Sequence, residues 1–198
     1  MRARNIYGFG DFSDVSSVVA SSVPGEPEIA TTTTQGTGTV IGFFAPDTNG
    51  AMIQSYTIKI AGIDDIFYES QECYDTLTPG SHDYFSCTVS FKTLREAPFF
   101  LVYNSLVSVI VRATNNIGNG EFSQPNVMGS TVQTEPQSVK NVRLDPTQST
   151  TTTILLEWDA LFTDLETGGS PVLNYKISIN SGLTITSWSQ VAVVASNS

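Results

Sequence analysis

Residues 111–123 read VRATNNIGNGEFS, and residues 1–13 read MRARNIYGFGDFS. Set side by side without a gap, they share Arg, Ala, Asn, Gly, Gly, Phe and Ser, and Asp11 faces Glu121. The offset from Ala3 to Ala113 is 110 residues. That is longer than the 20–50 residues or so of a solenoid repeat and suits a whole small β domain of about 100 residues. Other landmarks recur near the same distance. Val23-Pro24-Gly25-Glu26-Pro27 comes after the first phrase and Gln133-Thr134-Glu135-Pro136 after the second. Both read as linkers, because proline stops strand pairing. Thr31–Thr34 recurs as Thr150–Thr153, Phe44 as Trp158, and Tyr56 as Tyr175.

Between the linkers the apolar residues alternate with period two. Val107, Val109, Val111 and Ala113 share one face; Ser108, Ile110, Arg112 and Thr114 share the other. Tyr56, Ile58 and Ile60 line up likewise, as do Tyr175, Ile177 and Ile179, and Ile154, Leu156 and Trp158. No segment sustains a helical period over 10–12 residues or so. Short strands separated by turn signals predict an all-β sandwich.

Composition narrows the function classes. The 198 residues suit one or two domains. They are 40% hydrophobic, enough for real cores, and only 14% charged. Twenty-three Ser and 24 Thr supply the remaining polarity, as is common in secreted β proteins. A net charge of −10 repels phosphate backbones and argues against nucleic-acid binding. No basic cluster addresses anionic lipid, and no apolar run spans a bilayer, so direct membrane insertion by this segment is not expected. Arg2 and Arg4 precede no continuous apolar stretch, and Asp11 and Asp14 break up residues 5–19, so a signal peptide is rejected.

The repeated phrase resembles the fibronectin type III family. That family's penultimate strand and the turn after it carry V-x-A-x-N-x-x-G-x-G-x-x-S, matched here by Val111, Ala113, Asn115, Gly118, Gly120 and Ser123. It is matched again by Met1, Ala3, Asn5, Gly8, Gly10 and Ser13. Val and Ala pack inward, and Asn with two glycines builds a hairpin needing positive φ. The family's core Trp is matched by Trp158 and more loosely by Phe44; its core Tyr is matched by Tyr56 and Tyr175. Val107 stands where a tyrosine corner would be, so that hydrogen bond is expected to be missing. The resemblance implies an immunoglobulin-like β-sandwich in tandem, with incomplete domains at both ends. Residues 1–22 would be the tail of one domain, 24–133 a complete domain, and 135–198 the first strands of another. The last 60 residues or so are expected to be poorly ordered or aggregation-prone in isolation. An alternative has one chain's N-terminal remnant complete the C-terminal half of another by strand donation.

Cys73 and Cys87 flank the turn residues Pro79-Gly80. In an extracellular-type module such a pair suggests a disulfide, worth roughly 3 kcal/mol for a loop of about 15 residues; two reduced core cysteines are the alternative. The arrangement is similar to fibronectin-type repeats in very large surface proteins of single-celled eukaryotes.

Nothing points to catalysis. His82, the single histidine, sits in Ser81-His82-Asp83, whose consecutive side chains diverge, so no triad is expected. Asp64, Asp65, Glu69, Glu72 and Asp75 lack calcium-loop spacing and read as a solvated loop. GTGTVIG at 36–42 leads into a strand, not a helix, and is no phosphate loop. No catalytic residue, cofactor or metal site is expected. The Thr tetrads read as β-forming residues at the turn between the first two strands, with O-glycosylation the alternative; no N-glycosylation sequon occurs. Residues 99–103, FFLVY, read as a core-crossing connection. Loops 46–52, 76–86 and 115–120 are the binding-loop candidates, and Trp188 is the aromatic to test for surface contacts. Family resemblance implies a spacer and adhesion module of an extracellular or cell-surface array with protein partners. Its rivals are an intracellular cytoskeletal scaffold and an accessory module of a larger secreted enzyme or receptor.

Overall fold

The computed structural model describes residues 1–18, 20–180 and 188–196. In chain order the elements are β1 (Arg4–Asn5), β2 (Gly8–Phe9), β3 (Thr31–Gln35), β4 (Gly38–Phe44), β5 (Ile53–Ala61), β6 (Phe67–Glu69), α1 (Gln71–Thr76), β7 (Thr78–Pro79), β8 (Tyr84–Ser90), α2 (Phe91–Arg95) and β9 (Val109–Asn115). They continue with β10 (Lys140–Leu144), β11 (Leu156–Asp159), α3 (Asp164–Thr167), β12 (Asn174–Asn180) and β13 (Trp188–Ala195).

The middle of the chain is an all-β sandwich. One antiparallel sheet runs β3-β4-β8-β7 and the other β6-β5-β9. This division is that of an immunoglobulin-like sandwich. Alternation explains its core. Val107, Val109, Val111 and Ala113 are fully buried, and Ile58 and Ile60 meet them from β5. From the opposite sheet come Ile41, Phe43 and Val89. The rings of Phe43 and Tyr56 close the gap between sheets at 5.1 Å.

Several expectations change. Phe44 is 49% exposed, and its neighbour Phe43 holds the core position at 2%. Side chains alternate along a strand, and Ile41 fixes which of the two phenylalanines faces in. Phe44 instead lies edge-on to Tyr84 across the outer face. Thr31–Thr34 lie within β3 rather than at its turn, which falls at Gly36-Thr37; Thr150–Thr153 form a bend outside any strand. Segment 76–86 is no open loop: Thr78 and Pro79 pair with Ser86 and Phe85. Among the described residues three short helices appear, of six, five and four residues. Each starts at a hydroxyl N-cap, Ser70, Ser90 or Thr163.

Between β9 and β10 the described residues form no regular closing strand. Ser123 and Asn126 do part of that work with side chains. Ser123 Oγ accepts the Val111 N–H at 3.0 Å. Asn126 Oδ1 accepts the Val109 N–H at 2.7 Å, and its Nδ2 donates to the carbonyls of Val107 and Met128. Asn126 is 5% exposed, so these bonds satisfy groups that water does not reach.

Segment 99–103 alternates in and out. Phe99 and Leu101 are buried, Phe100 and Val102 exposed. The peptide bond before Pro98 is cis.

Outside the sandwich, β1 and β2 form a two-stranded hairpin with Ile6, Tyr7 and Phe12 exposed. In residues 135–196, β10 pairs β11 and β12 pairs β13, giving two separate two-stranded sheets among the described residues. Val142, Leu156, Trp158, Leu161, Tyr175 and Ile177 line a cleft of about 330 Å³ between them.

Candidate functional site: two linker clasps

The repeated phrase folds the same way twice. Gly120 donates its N–H to the Ala113 carbonyl at 2.9 Å, and Gly10 donates to Ala3 at 3.0 Å. Ser123 donates to the Val111 carbonyl at 2.8 Å, and Ser13 to Met1 at 2.7 Å. Asn115 Oδ1 accepts the Ile117 N–H at 2.9 Å, and Asn5 Oδ1 accepts that of Tyr7 at 2.9 Å. Gly118 and Gly8 both take positive φ, 156° and 139°. Gly120 does not: a Cβ there would lie 2.7 Å from the Pro24 carbonyl oxygen. Its glycine serves close approach of the linker rather than the turn that the sequence suggested.

That approach identifies what two of the expected binding loops hold. Strands β4, β5, β8 and β9 bring loops 46–52 and 115–120 to one end of the sandwich. There they grip residues 22–25 of the same chain. Ser22 donates to the Asn49 carbonyl at 3.1 Å and Gly25 to the Asp47 carbonyl at 2.9 Å. Asn49 Nδ2 donates to the Val23 carbonyl at 2.9 Å, and Asn115 Nδ2 to the Ser22 carbonyl at 2.8 Å. Pro24 and Pro27 are buried. The first linker is therefore docked, not free.

The second linker is held by the same arrangement. Thr134 donates to the Gly168 carbonyl at 2.9 Å, and Gln137 to the Glu166 carbonyl at 2.8 Å. The spacing of donors and acceptors repeats that of Ser22 and Gly25 on Asn49 and Asp47. The left-handed pair repeats too: Asn49 and Gly50 have φ of 49° and 82°, Gly168 and Gly169 of 72° and 82°. The first clasp lies between β4 and β5, ahead of Tyr56, and the second between β11 and β12, ahead of Tyr175.

The second clasp adds charge. Arg95, at the end of α2, pairs both terminal nitrogens with the Glu135 carboxylate. That guanidinium holds the Glu135 carboxyl down at about 2. Gln133 Nε2 donates to the Gly169 carbonyl at 2.7 Å. Glu166 closes a capping box with Thr163 and takes Lys140 at 3.3 Å. Backbone N–H groups of Thr163 and Phe162, then the Thr163 hydroxyl and Lys140, bring its carboxyl to about 2. Beside the joint lies a cleft of about 630 Å³ lined by Lys92, Arg95, Glu135, Pro171 and Leu173, among others.

The remaining singled-out residues separate. Cys73 on α1 and Cys87 on β8 form a disulfide, both buried. His82 and Asp83 sit in a turn, both with positive φ. The acidic residues 64–75 bond one by one to nearby groups: Asp64 to the Tyr68 hydroxyl, Asp75 to Gln71, Glu72 to the Ser90 hydroxyl. No three His, Cys, Asp or Glu side chains gather as a metal site among the described residues, and no helix among them is long and apolar enough to cross a membrane. Gly38–Gly42 lie inside β4. Trp158 packs on Tyr175 at 5.5 Å between ring centroids. Trp188 begins β13, opposite Asn180, and is 64% exposed.

No protein-family model matches the chain, and no curated protein matches it. Among solved structures, it is similar to the sixth fibronectin type III domain of human fibronectin type III domain containing protein 3. Identity is 18% and the TM-score 0.40, over 60% of this chain and 96% of that one.

No sequence motif announces the clasps. They are made chiefly by backbone groups, which sequence does not label. Their one visible signal is the Pro/Glu segment recurring behind each copy of the phrase.

Proposed function

We propose that this chain is a non-enzymatic structural module: a spacer and protein-interaction segment of a larger extracellular or cell-surface array of fibronectin type III-like units. The observation that carries this reading is the repeated clasp. Two linkers dock on two successive units through the same backbone hydrogen bonds, as a device for spacing modules at set angles requires. Residues 24–133 act as the complete unit. Residues 1–22 contribute the closing hairpin of a preceding one, and residues 135–198 the opening strands of a further one. The buried Cys73–Cys87 disulfide supports an oxidising compartment. The acidic surface favours protein partners over nucleic acid. Adhesion would use the exposed outer faces and strand edges, since loops 46–52 and 115–120 are taken up by the chain's own linker.

Thiol trapping on natively sourced protein tests the compartment. Alkylation before and after reduction should find Cys73 and Cys87 blocked until reduced. Two free thiols in the native protein would overturn the extracellular assignment.

A further inference from the structure

The two clasps differ at one place with chemical consequence. The first uses Asn49-Gly50 where the second uses Gly168-Gly169. We propose that Asn49-Gly50 is a self-modification site, at which spontaneous deamidation releases the first linker from its clasp.

The reaction needs an asparagine side-chain amide, an adjacent backbone nitrogen free to attack it, and water. Gly50 has no side chain to hinder its nitrogen. Asn49 and Gly50 are both exposed. The Gly50 N–H donates no hydrogen bond among the described residues, while its neighbour Ala51 donates to Thr48. In the reaction the Gly50 nitrogen attacks Asn49 Cγ, forming a C–N bond. The side-chain nitrogen leaves as ammonia, taking the proton that the backbone amide loses. Water then opens the cyclic imide to aspartate or isoaspartate, so the net change is amide plus water to carboxylate plus ammonium.

The chain carries its own control. Asn119-Gly120 is the same dipeptide, but there the Gly120 N–H is bound to the Ala113 carbonyl at 2.9 Å and Gly120 is buried. Attack at Asn119 must first break that bond and open the hairpin.

Conversion at Asn49 removes a donor that the clasp uses. Asn49 Nδ2 lies 2.9 Å from the Val23 carbonyl oxygen. A carboxylate there would set two acceptors against each other with no proton between them. The Asp47 carboxylate, which accepts the Asn49 N–H at 2.9 Å, adds like charge. The second clasp has Gly168 and Gly169 at these two positions, so no asparagine amide stands there to convert. The chemistry stands on the geometry alone; its consequence for spacing rests on the spacer reading.

The test is to hold the intact folded chain at neutral pH and follow Asn49 and Asn119 by peptide mass mapping. Asn49 should convert at least about tenfold faster, the factor that about 1.4 kcal/mol of barrier represents. Equal rates, or an unchanged Asn49, would overturn the site. Asn49→Asp should speed hydrogen exchange at the Ser22 amide about tenfold. Asn49→Gly, which copies Gly168, should keep Ser22 protected and abolish conversion. An Asn49→Asp chain with Ser22 as protected as in the parent would overturn the release. Protection of Ser22 and Thr134 in the unaltered chain reports on the clasps themselves, so failure of the spacer reading is seen separately.

Discussion

Asn49 and Gly168 accept the same bond in the two linker clasps. The carbonyl of Asn49 takes the N–H of Ser22 at 3.1 Å, and the carbonyl of Gly168 takes that of Thr134 at 2.9 Å. Both residues have left-handed backbone. That conformation turns a carbonyl outward toward the arriving linker, and it suits asparagine or glycine better than other residues. The two clasps thus hold their linkers through the same pair of backbone bonds.

Removing the ionic pin should loosen the second joint without unfolding either unit. Glu135 is 76% exposed in its side chain, so Arg95→Ala should cost under about 1 kcal/mol of global stability. Hydrogen exchange at Thr134 should nonetheless quicken, and backbone ¹⁵N relaxation should show the two units tumbling more independently.

The same pin sets an acid limit. The Glu135 carboxyl is held at about 2, below its ordinary 4.5. A depressed carboxyl contributes above its unfolded value and loses that contribution as pH falls through the folded one. Glu166, also near 2, behaves in the same way. Exchange at Thr134 and Gln137, corrected for intrinsic rates, should be pH-independent above about 4.5 and should rise between 4.5 and 2.

Neighbouring phenylalanines should behave very differently. Phe43→Ala opens the core between Ile41, Tyr56 and Phe85 and should cost about 3–5 kcal/mol. Phe44→Ala trims an exposed ring and should cost under about 1 kcal/mol. Urea unfolding of the two variants gives both numbers.

Asn126→Ala should cost about 2–3 kcal/mol, because it strands the Val109 N–H in a dry site and leaves the Val107 carbonyl with only the Thr32 hydroxyl. Replacing Cys73 and Cys87 together by Ala should cost about 3 kcal/mol in the chain-entropy view. The two losses should add in thermal unfolding if the disulfide and Asn126 are uncoupled.

The strands with strict alternation are legible without the fold. In β9 every inward residue from Val109 to Ala113 is apolar and every outward one carries a polar or half-buried side chain, so period alone places it. The Phe43-Phe44 pair is not legible, because a one-residue slip exchanges faces and both candidates are the same amino acid. The helices α1, α2 and α3 span too few residues to show a helical period. Asn126 is a single polar residue whose burial depends on how Thr32 and Met128 fold over it. The clasps depend on backbone carbonyls at Asp47, Asn49, Glu166 and Gly168, which no side chain labels, so only the Pro/Glu segments behind the repeated phrase point to them.

The most direct test is amide hydrogen exchange at Ser22, Gly25, Thr134 and Gln137 in the native chain, compared with the exposed amides of Ser16 and Ser17. The account predicts that all four exchange slowly, at about tenfold or more below their intrinsic rates, since each is bonded to a carbonyl of the unit after it. Exchange of these four at the rates of Ser16 and Ser17 would mean free linkers, and the module would not be a spacer of fixed geometry.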